Sequence, residues 1–231
     1  MPIVRAQCHI RSVSLSTVPT EIRGRVEALG PEHALAPGTL ERVEQFFSLR
    51  LAWGRVHNLS GPEALAQPWS VDFLDVLALH RLFEPRLPLV DVGSGSGVPG
   101  LIFKILRPEV QITLVEPSAK RVAFLRHAAR TLALTGLTVE RGRWPRVESQ
   151  RIQVVSRATF PVADWPRAAA VSPFVETLYR YLALERPEFD AEEFERADVL
   201  DYDGPSGAHR RLERWQRRTA PAKHDAEKGS S

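Results

Sequence analysis

The sequence predicts an α/β protein: a mostly parallel, seven-stranded sheet of Rossmann-like type with a terminal antiparallel hairpin and an N-terminal helical cap. Three observations predict it. Short apolar runs alternate with helical patterns from Leu87 onward, as in a parallel sheet covered on both faces. Leu89-Val-Asp-Val-Gly-Ser-Gly-Ser-Gly-Val-Pro-Gly100 joins a buried strand to a helix through a glycine-rich loop. Ala197–Tyr202 and Arg210–Trp215 read as two strands joined by the turn Asp203-Gly-Pro-Ser-Gly207.

Element by element, residues 1–18 form an extension with Arg5 and Arg11 and no acid, expected to be disordered. A helical cap is expected over 19–86. Its first helix starts near Thr20-Glu21 and ends at Gly30-Pro31. A stronger helix begins near Thr39 and sets Leu40, Val43, Phe46, Phe47, Leu49 or Arg50, and Trp53 on one face, until Asn58-Leu-Ser-Gly-Pro62 breaks it. A third helix spans about Val71 to Phe83. The core, 87–216, carries strands at 89–92, 111–116, 137–140 and 152–156, with helices at 100–106, 118–134 and about 163–178. Tyr179–Leu184 reads as the fifth strand, before the hairpin. Residues 217–231 are polar and read as a disordered tail.

The glycine loop is the first candidate site. Glycines let a chain turn sharply and let a ligand lie against bare backbone, and the free N–H groups of the following helix face that ligand. Gly95-x-Gly97-x-x-Gly100 also fits a dinucleotide fingerprint. Three details favour S-adenosylmethionine over a nicotinamide cofactor. Asp91 stands two residues before the first glycine, where a carboxylate orders the loop or meets the amino group of methionine. The glycines alternate, which suits a small amino-acid moiety better than a pyrophosphate. The next strand ends in Glu116, 19 positions after Gly97. A carboxylate there accepts both ribose hydroxyls, worth about 1.5–3 kcal/mol for a charge-assisted hydrogen bond. That acid occurs with either cofactor.

Composition narrows the classes. At 231 residues, with 43% apolar and 26% charged residues, the chain reads as one soluble globular core with a small appendage. It carries no apolar run of membrane-spanning length. A single cysteine, Cys8, excludes an intrachain disulfide and a cysteine-based zinc cluster. The cytoplasm is the expected location, and a monomer the expected state. His57, His80, His127 and His209 show no metal-binding spacing and are expected to be surface or capping residues. Net charge is +3, yet basic residues divide into 27 arginines and 4 lysines. Arginine offers a planar fork to phosphate and stacks on bases, so the bias permits a nucleic-acid partner.

These motifs together resemble a known family. Asp91–Gly100, Arg107-Pro108, Lys120-Arg-Val-Ala-Phe-Leu125 and Ser156-Arg-Ala158 are similar to segments of the small-subunit (16S) rRNA methyltransferase G family, also called glucose-inhibited division protein B. Trp53 with Asn58-Leu59-Ser60, Asp75-Val76-Leu77 and Arg210-Arg211-Leu212 resemble further family segments, and the likeness spans about residues 20–216. It implies a class I methyltransferase fold that binds S-adenosylmethionine and methylates N7 of one guanine in 16S rRNA of the small ribosomal subunit.

The resemblance assigns roles. Asp91, Gly93, Ser94, Gly95 and Gly97 would cradle the methionine part and Glu116 the ribose. Arg143 and Trp144 would lie along the adenine, Trp144 stacking on it. Lys120 and Arg121 open the helix after Glu116 and would lie by the reactive cleft. Arg157 closes the fourth strand and would touch substrate, beside the cofactor. Asn58 and Arg210 are further substrate candidates. Guanine N7 carries no proton, so positioning without a general base is expected.

Departures from the family pattern lie on the substrate side. Asp72 stands where the family has His, Val76 where it has Ser, and Pro145 where it has Glu. Glu185-Arg186 replaces a Lys-Gly pair, and a Pro-Gly-Gly turn is missing before the fifth strand. They leave open a paralogue acting on another RNA or a small molecule, or an RNA-binding scaffold without activity.

Overall fold

The computed structural model describes residues 18–57, 59, 61–183 and 192–218. The N-terminal extension up to residue 17, Asn58, Glu185, Arg186 and the tail from residue 219 lie outside the described residues.

Four helices form the cap: α1 (Thr20–Glu27), α2 (Thr39–His57), α3 (Pro62–Ala66) and α4 (Leu74–Leu82). A π-helical turn, Trp69–Phe73, leads into α4. Strands β1 (Leu89–Val92), β2 (Ile112–Glu116), β3 (Leu137–Arg141), β4 (Ile152–Ser156) and β5 (Val175–Leu182) then alternate with α5 (Gly100–Leu106), α6 (Ala119–Thr131) and α7 (Trp165–Ala170). Strands β6 (Phe194–Asp203) and β7 (His209–Arg217) complete a seven-stranded sheet of order β3-β2-β1-β4-β5-β7-β6. β1 to β5 are parallel, and β7 runs antiparallel to both β5 and β6.

The period of two along the strands separates two cores. Leu89, Ile112, Leu114, Val155 and Tyr179 face one side, where Leu101 and Phe103 of α5 and Phe124 of α6 meet Phe46, Phe47, Trp69 and Phe73 of the cap. Phe124 lies 6.4 Å from Phe46 and 5.6 Å from Trp53, ring centroid to centroid. Cap and sheet therefore share one continuous hydrophobic cluster. Each fully buried Phe or Leu there contributes about 1.5–3 kcal/mol. Val90, Val92, Val115, Val154 and Leu178 face the other side, against Trp165 of α7 and Trp215 of β7.

The structure corrects three boundaries. The helix expected over 163–178 is only α7, and the fifth strand starts at Val175 rather than Tyr179. Ala168-Ala-Ala170 favours a helix, but Pro173 has no N–H and disfavours helical backbone at Ser172. Helix α6 stops at Thr131 rather than 134, because Ala133 takes a φ of 49°.

At β1 the strand order reverses, since β2 and β4 flank it on opposite sides. In open α/β sheets the crevice outside such a switch point receives ligands. The glycine loop follows β1, Glu116 ends β2 and Arg157 follows β4, so three candidate segments meet there.

Candidate cofactor cleft and its arginine–aspartate wall

A cleft of about 430 Å³ opens at these strand ends, within the size range of small-molecule sites. Gly93 to Ser96, Glu116, Pro117, Arg121 and Arg157 to Thr159 line it from the core; Arg50, Leu59, Gly61 and Ala64 line it from the cap. Gly93, at φ +74°, is needed for close packing: a Cβ there would lie 2.1 Å from Thr159 Oγ1. Gly95, at φ +55°, differs, because a Cβ there would meet nothing nearer than Gly93 O at 3.7 Å. Its bare backbone therefore faces open space. Gly97 and Gly100 serve the turn onto α5, where added methyls would strike Leu101 and Leu114.

Asp91 is buried and does not line the cleft. Its Oδ2 accepts the Gly100 N–H at 3.0 Å, fixing the start of α5 to β1. Its Oδ1 is buried without a hydrogen-bond partner. Burial raises its pKa to about 7, against the lowering effect of the Gly100 N–H. Of the two roles expected for Asp91, the geometry favours ordering the loop, a correction to its placement among cofactor contacts. Ser94 Oγ donates to Asp91 O at 2.9 Å and serves the same turn.

Glu116 is 2% exposed. Its Oε2 accepts the Gly95 N–H and its Oε1 the Ser118 N–H, both at 2.9 Å. Each carboxylate oxygen accepts about two hydrogen bonds, so capacity remains for a diol at the cleft wall. Arg121 Nη1 lies 3.9 Å from Glu116 Oε1, and its side chain is 44% exposed. Lys120 is exposed and outside the cleft lining. Arg143 is exposed, and Trp144 packs on the second core with its Nε1–H donated to Ala168 O at 2.6 Å. Neither lines the cleft, where an adenine platform was expected, and the indole Nε1–H is tied to α7.

Arg157 is engaged more fully than expected of a free substrate ligand. Its Nη1 donates to Asp75 Oδ2 at 2.9 Å and to Val71 O at 3.3 Å; its Nη2 donates to Asp72 Oδ1. Burial alone would lower its pKa, but the Asp72 and Asp75 charges override this and hold the guanidinium more firmly protonated than usual. With five N–H groups, its Nε–H and one Nη2–H stay uncommitted among the described residues. Arg210 does not line the cleft; it reaches the same wall from β7, donating to Asp75 Oδ1 at 2.6 Å and Val71 O at 3.2 Å. Tyr202 adds its hydroxyl to Asp75 Oδ1 at 2.8 Å.

Sequence reading missed Arg50 as a site residue. It pairs with Asp72 Oδ2 at 2.6 Å with its side chain 1% exposed, and donates to Ala64 O at 2.8 Å. Burial lowers its pKa, against the opposing charge of Asp72. The signal was legible: with Val43, Phe46 and Phe47 it completes an i, i+3, i+4, i+7 stripe, so the position is buried whatever occupies it. His80, in the last turn of α4, is buried, with Nε2 2.8 Å from His33 O. His127 lies 5.3 Å from Trp53, ring centroid to centroid, with the rings tilted at 35°, and His209 pairs with Asp203 at the surface. No group of three potential metal ligands occurs among the described residues, and no helix there is long and apolar enough to cross a membrane.

The residues present suit a nucleoside bearing a short amino-acid arm: open backbone at Gly95, acceptor capacity at Glu116, and guanidinium charge already countered by carboxylates. Comparison with known proteins agrees. A family model described as rRNA small subunit methyltransferase G matches residues 39–196. The ribosomal RNA small subunit methyltransferase G of Desulfotalea psychrophila is 36% identical over 166 residues, covering 69% of this chain and 76% of that protein. The protein of the same name from Neisseria gonorrhoeae is 34% identical over 145 residues, 62% of this chain and 69% of its own. Among solved structures, MtNAS in complex with MTA and tNA aligns at a TM-score of 0.50 and 16% identity, covering 76% of this chain and 72% of that one. At that identity the likeness is one of fold.

Proposed function

Because the chain belongs to the rRNA small subunit methyltransferase G family, we propose that it methylates N7 of a guanine in 16S rRNA, as a monomer in the cytoplasm. The fold is the Rossmann-like one of class I methyltransferases, and S-adenosylmethionine is the cofactor. The observation that carries the reading is the meeting of the Gly95 backbone and the Glu116 carboxylate at the switch point of the sheet.

Bound in the cleft, S-adenosylmethionine supplies a sulfonium methyl open to attack by a lone pair. Guanine N7 has such a lone pair and no proton, so a general base is not required. The cleft matches that requirement: among the described residues its titratable lining is Arg50, Glu116, Arg121 and Arg157. Glu116 accepts two backbone N–H groups and would accept a ribose, and the guanidiniums are poor bases. What remains for the protein is to hold base and methyl in line. Backbone at Gly93 to Gly95 would hold the amino-acid arm, and Glu116 would hold the ribose hydroxyls. The uncommitted N–H groups of Arg157 suit guanine O6. Lys120 and Arg121, on the open side, suit phosphates of the RNA backbone.

The test is methyl transfer to small-subunit RNA from cells lacking the modification. The expected product is one methyl group at a guanine N7, located by cleavage at the methylated base. No incorporation into free 16S RNA or into subunits at any assembly stage would overturn the reading.

A further inference from the structure

We infer that Asp72 and Asp75 are electrostatic positioning residues of the cleft: they present Arg157 as a hydrogen-bond donor while cancelling the charge that would repel a cationic methyl donor and a base turning cationic. The inference rests on the methyltransferase reading and assigns a task to residues outside the ligand contacts.

The geometry carries it. Three arginines line the cleft and remain charged at any physiological pH; Arg121 has Glu116 beside it, and Arg50 and Arg157 stand at the aspartate wall. Both methyl donor and methylated N7 carry positive charge, so two bare guanidiniums would oppose binding and turnover alike. All four oxygens of the two aspartates face cationic groups. Asp72 meets Arg50 through Oδ2 and Arg157 through Oδ1; Asp75 meets Arg157 through Oδ2 and Arg210 through Oδ1. Asp72 is 0% and Asp75 4% exposed, so water screens these pairs little. Asp72 in the π-helical turn and Asp75 in the first turn of α4 stand at i, i+3 on one helix face.

A purely mechanical purpose explains this wall poorly. Buried ion pairs are weak sources of stability, and apolar replacements are often neutral or better. The guanidinium hydrogens not taken by carboxylates are partly taken by backbone, at Ala64 O and Val71 O. The arrangement leaves the Arg157 Nε–H and one Nη2–H as donors with most of their charge countered.

The test compares two ligands on the full chain by calorimetry: S-adenosylmethionine, cationic at sulfur, and S-adenosylhomocysteine, neutral at sulfur. In Asp72→Asn and Asp75→Asn the Kd ratio of the first to the second should rise by about 3- to 15-fold, as loss of one charge ~10 Å away gives at an effective dielectric of about 20–40. Glu176→Gln removes a charge at the opposite end of the sheet and should leave the ratio unchanged. Asp72→Glu keeps the charge and should hold the ratio near that of the parent even where packing suffers. Equal weakening of both ligands in the two Asn variants, with the ratio unmoved, is the signature of a merely structural role and overturns the inference alone. Failure of the unaltered chain to bind either ligand overturns the methyltransferase reading and this inference with it.

Discussion

Glu116 Oε2 accepts the Gly95 N–H at 2.9 Å, so the acid ending β2 and the loop following β1 form one rim. The same carboxylate holds Ser118 N–H at the start of α6. Glu116→Ala should therefore weaken S-adenosylmethionine binding by roughly 1–3 kcal/mol, because the ribose loses a charged acceptor and two N–H groups lose their partner. Calorimetry reads this directly, and unchanged affinity would refute the ribose assignment.

Two loop glycines should respond differently to the same methyl group. Gly93→Ala drives a Cβ to within 2.1 Å of Thr159 Oγ1 at a φ of +74°, so the loop must move. Gly95→Ala meets no protein atom closer than 3.7 Å and bears only left-handed strain of about 1–2 kcal/mol. Thermal unfolding should show a clearly larger loss for Gly93→Ala. Cofactor binding should fall in both, since the Gly95 methyl projects where the ligand lies.

Arg157→Ala should lower turnover by roughly 100-fold or more, the scale seen when one preorganised donor is removed. Asp72 keeps Arg50 and Asp75 keeps Arg210, so the cleft wall survives, and with one cation fewer beside the sulfonium the affinity for S-adenosylmethionine should be no weaker than that of the parent. Single-turnover rates and calorimetry on one preparation separate the two effects. Collapse of cofactor binding would make Arg157 structural.

Arg50→Leu should cost roughly 3–5 kcal/mol, the range for breaking a buried pair from one side. Adding Asp72→Asn should recover part of that loss. Urea denaturation of the four members of the cycle measures the coupling, and strict additivity would contradict the pairing.

His80 should shape the acid limb of stability. Burial lowers its folded pKa to about 4 from 6.5. The unfolded chain then binds the extra proton between those values, so this group's contribution falls as pH drops from 6.5 to 4, by up to roughly 3 kcal/mol. Asp91, raised to about 7 by burial, acts in the opposite direction from about pH 4 to 7. The difference between His80→Gln and the parent isolates the histidine. That difference should move in favour of the variant as pH falls through this window, and a flat difference would count against it.

The sheet, the glycine loop and Glu116 were legible because each rests on local pattern: apolar runs, glycine spacing, an acid at a strand end. The wall was only half legible. Arg157 stood out at a strand end, but its partners Asp72 and Asp75 lie 85 and 82 residues away, and ion pairs of that separation leave no periodic mark. Arg50 lay on an apolar stripe, where its charge was the anomaly to follow. Trp144 suits ordinary packing as well as an adenine site, and its bond to Ala168 O joins residues 24 apart, which no local pattern marks. The helix expected over about 163–178 overran α7, although Pro173 has no N–H to donate and disfavours helical backbone at Ser172.

Asp75 draws its ligands from far down the chain: Arg157, Tyr202 and Arg210 lie 82, 127 and 135 residues beyond it. Synthesis runs from the N-terminus, so the aspartate leaves the ribosome long before the groups that satisfy it. A nascent chain holding β1 to β4 already has its glycine loop and Glu116, yet Asp75 still lacks the hairpin that completes its shell. Competence thus arrives late in translation, and a fragment ending before β7 should carry the nucleoside half of the cleft without a finished wall beside it.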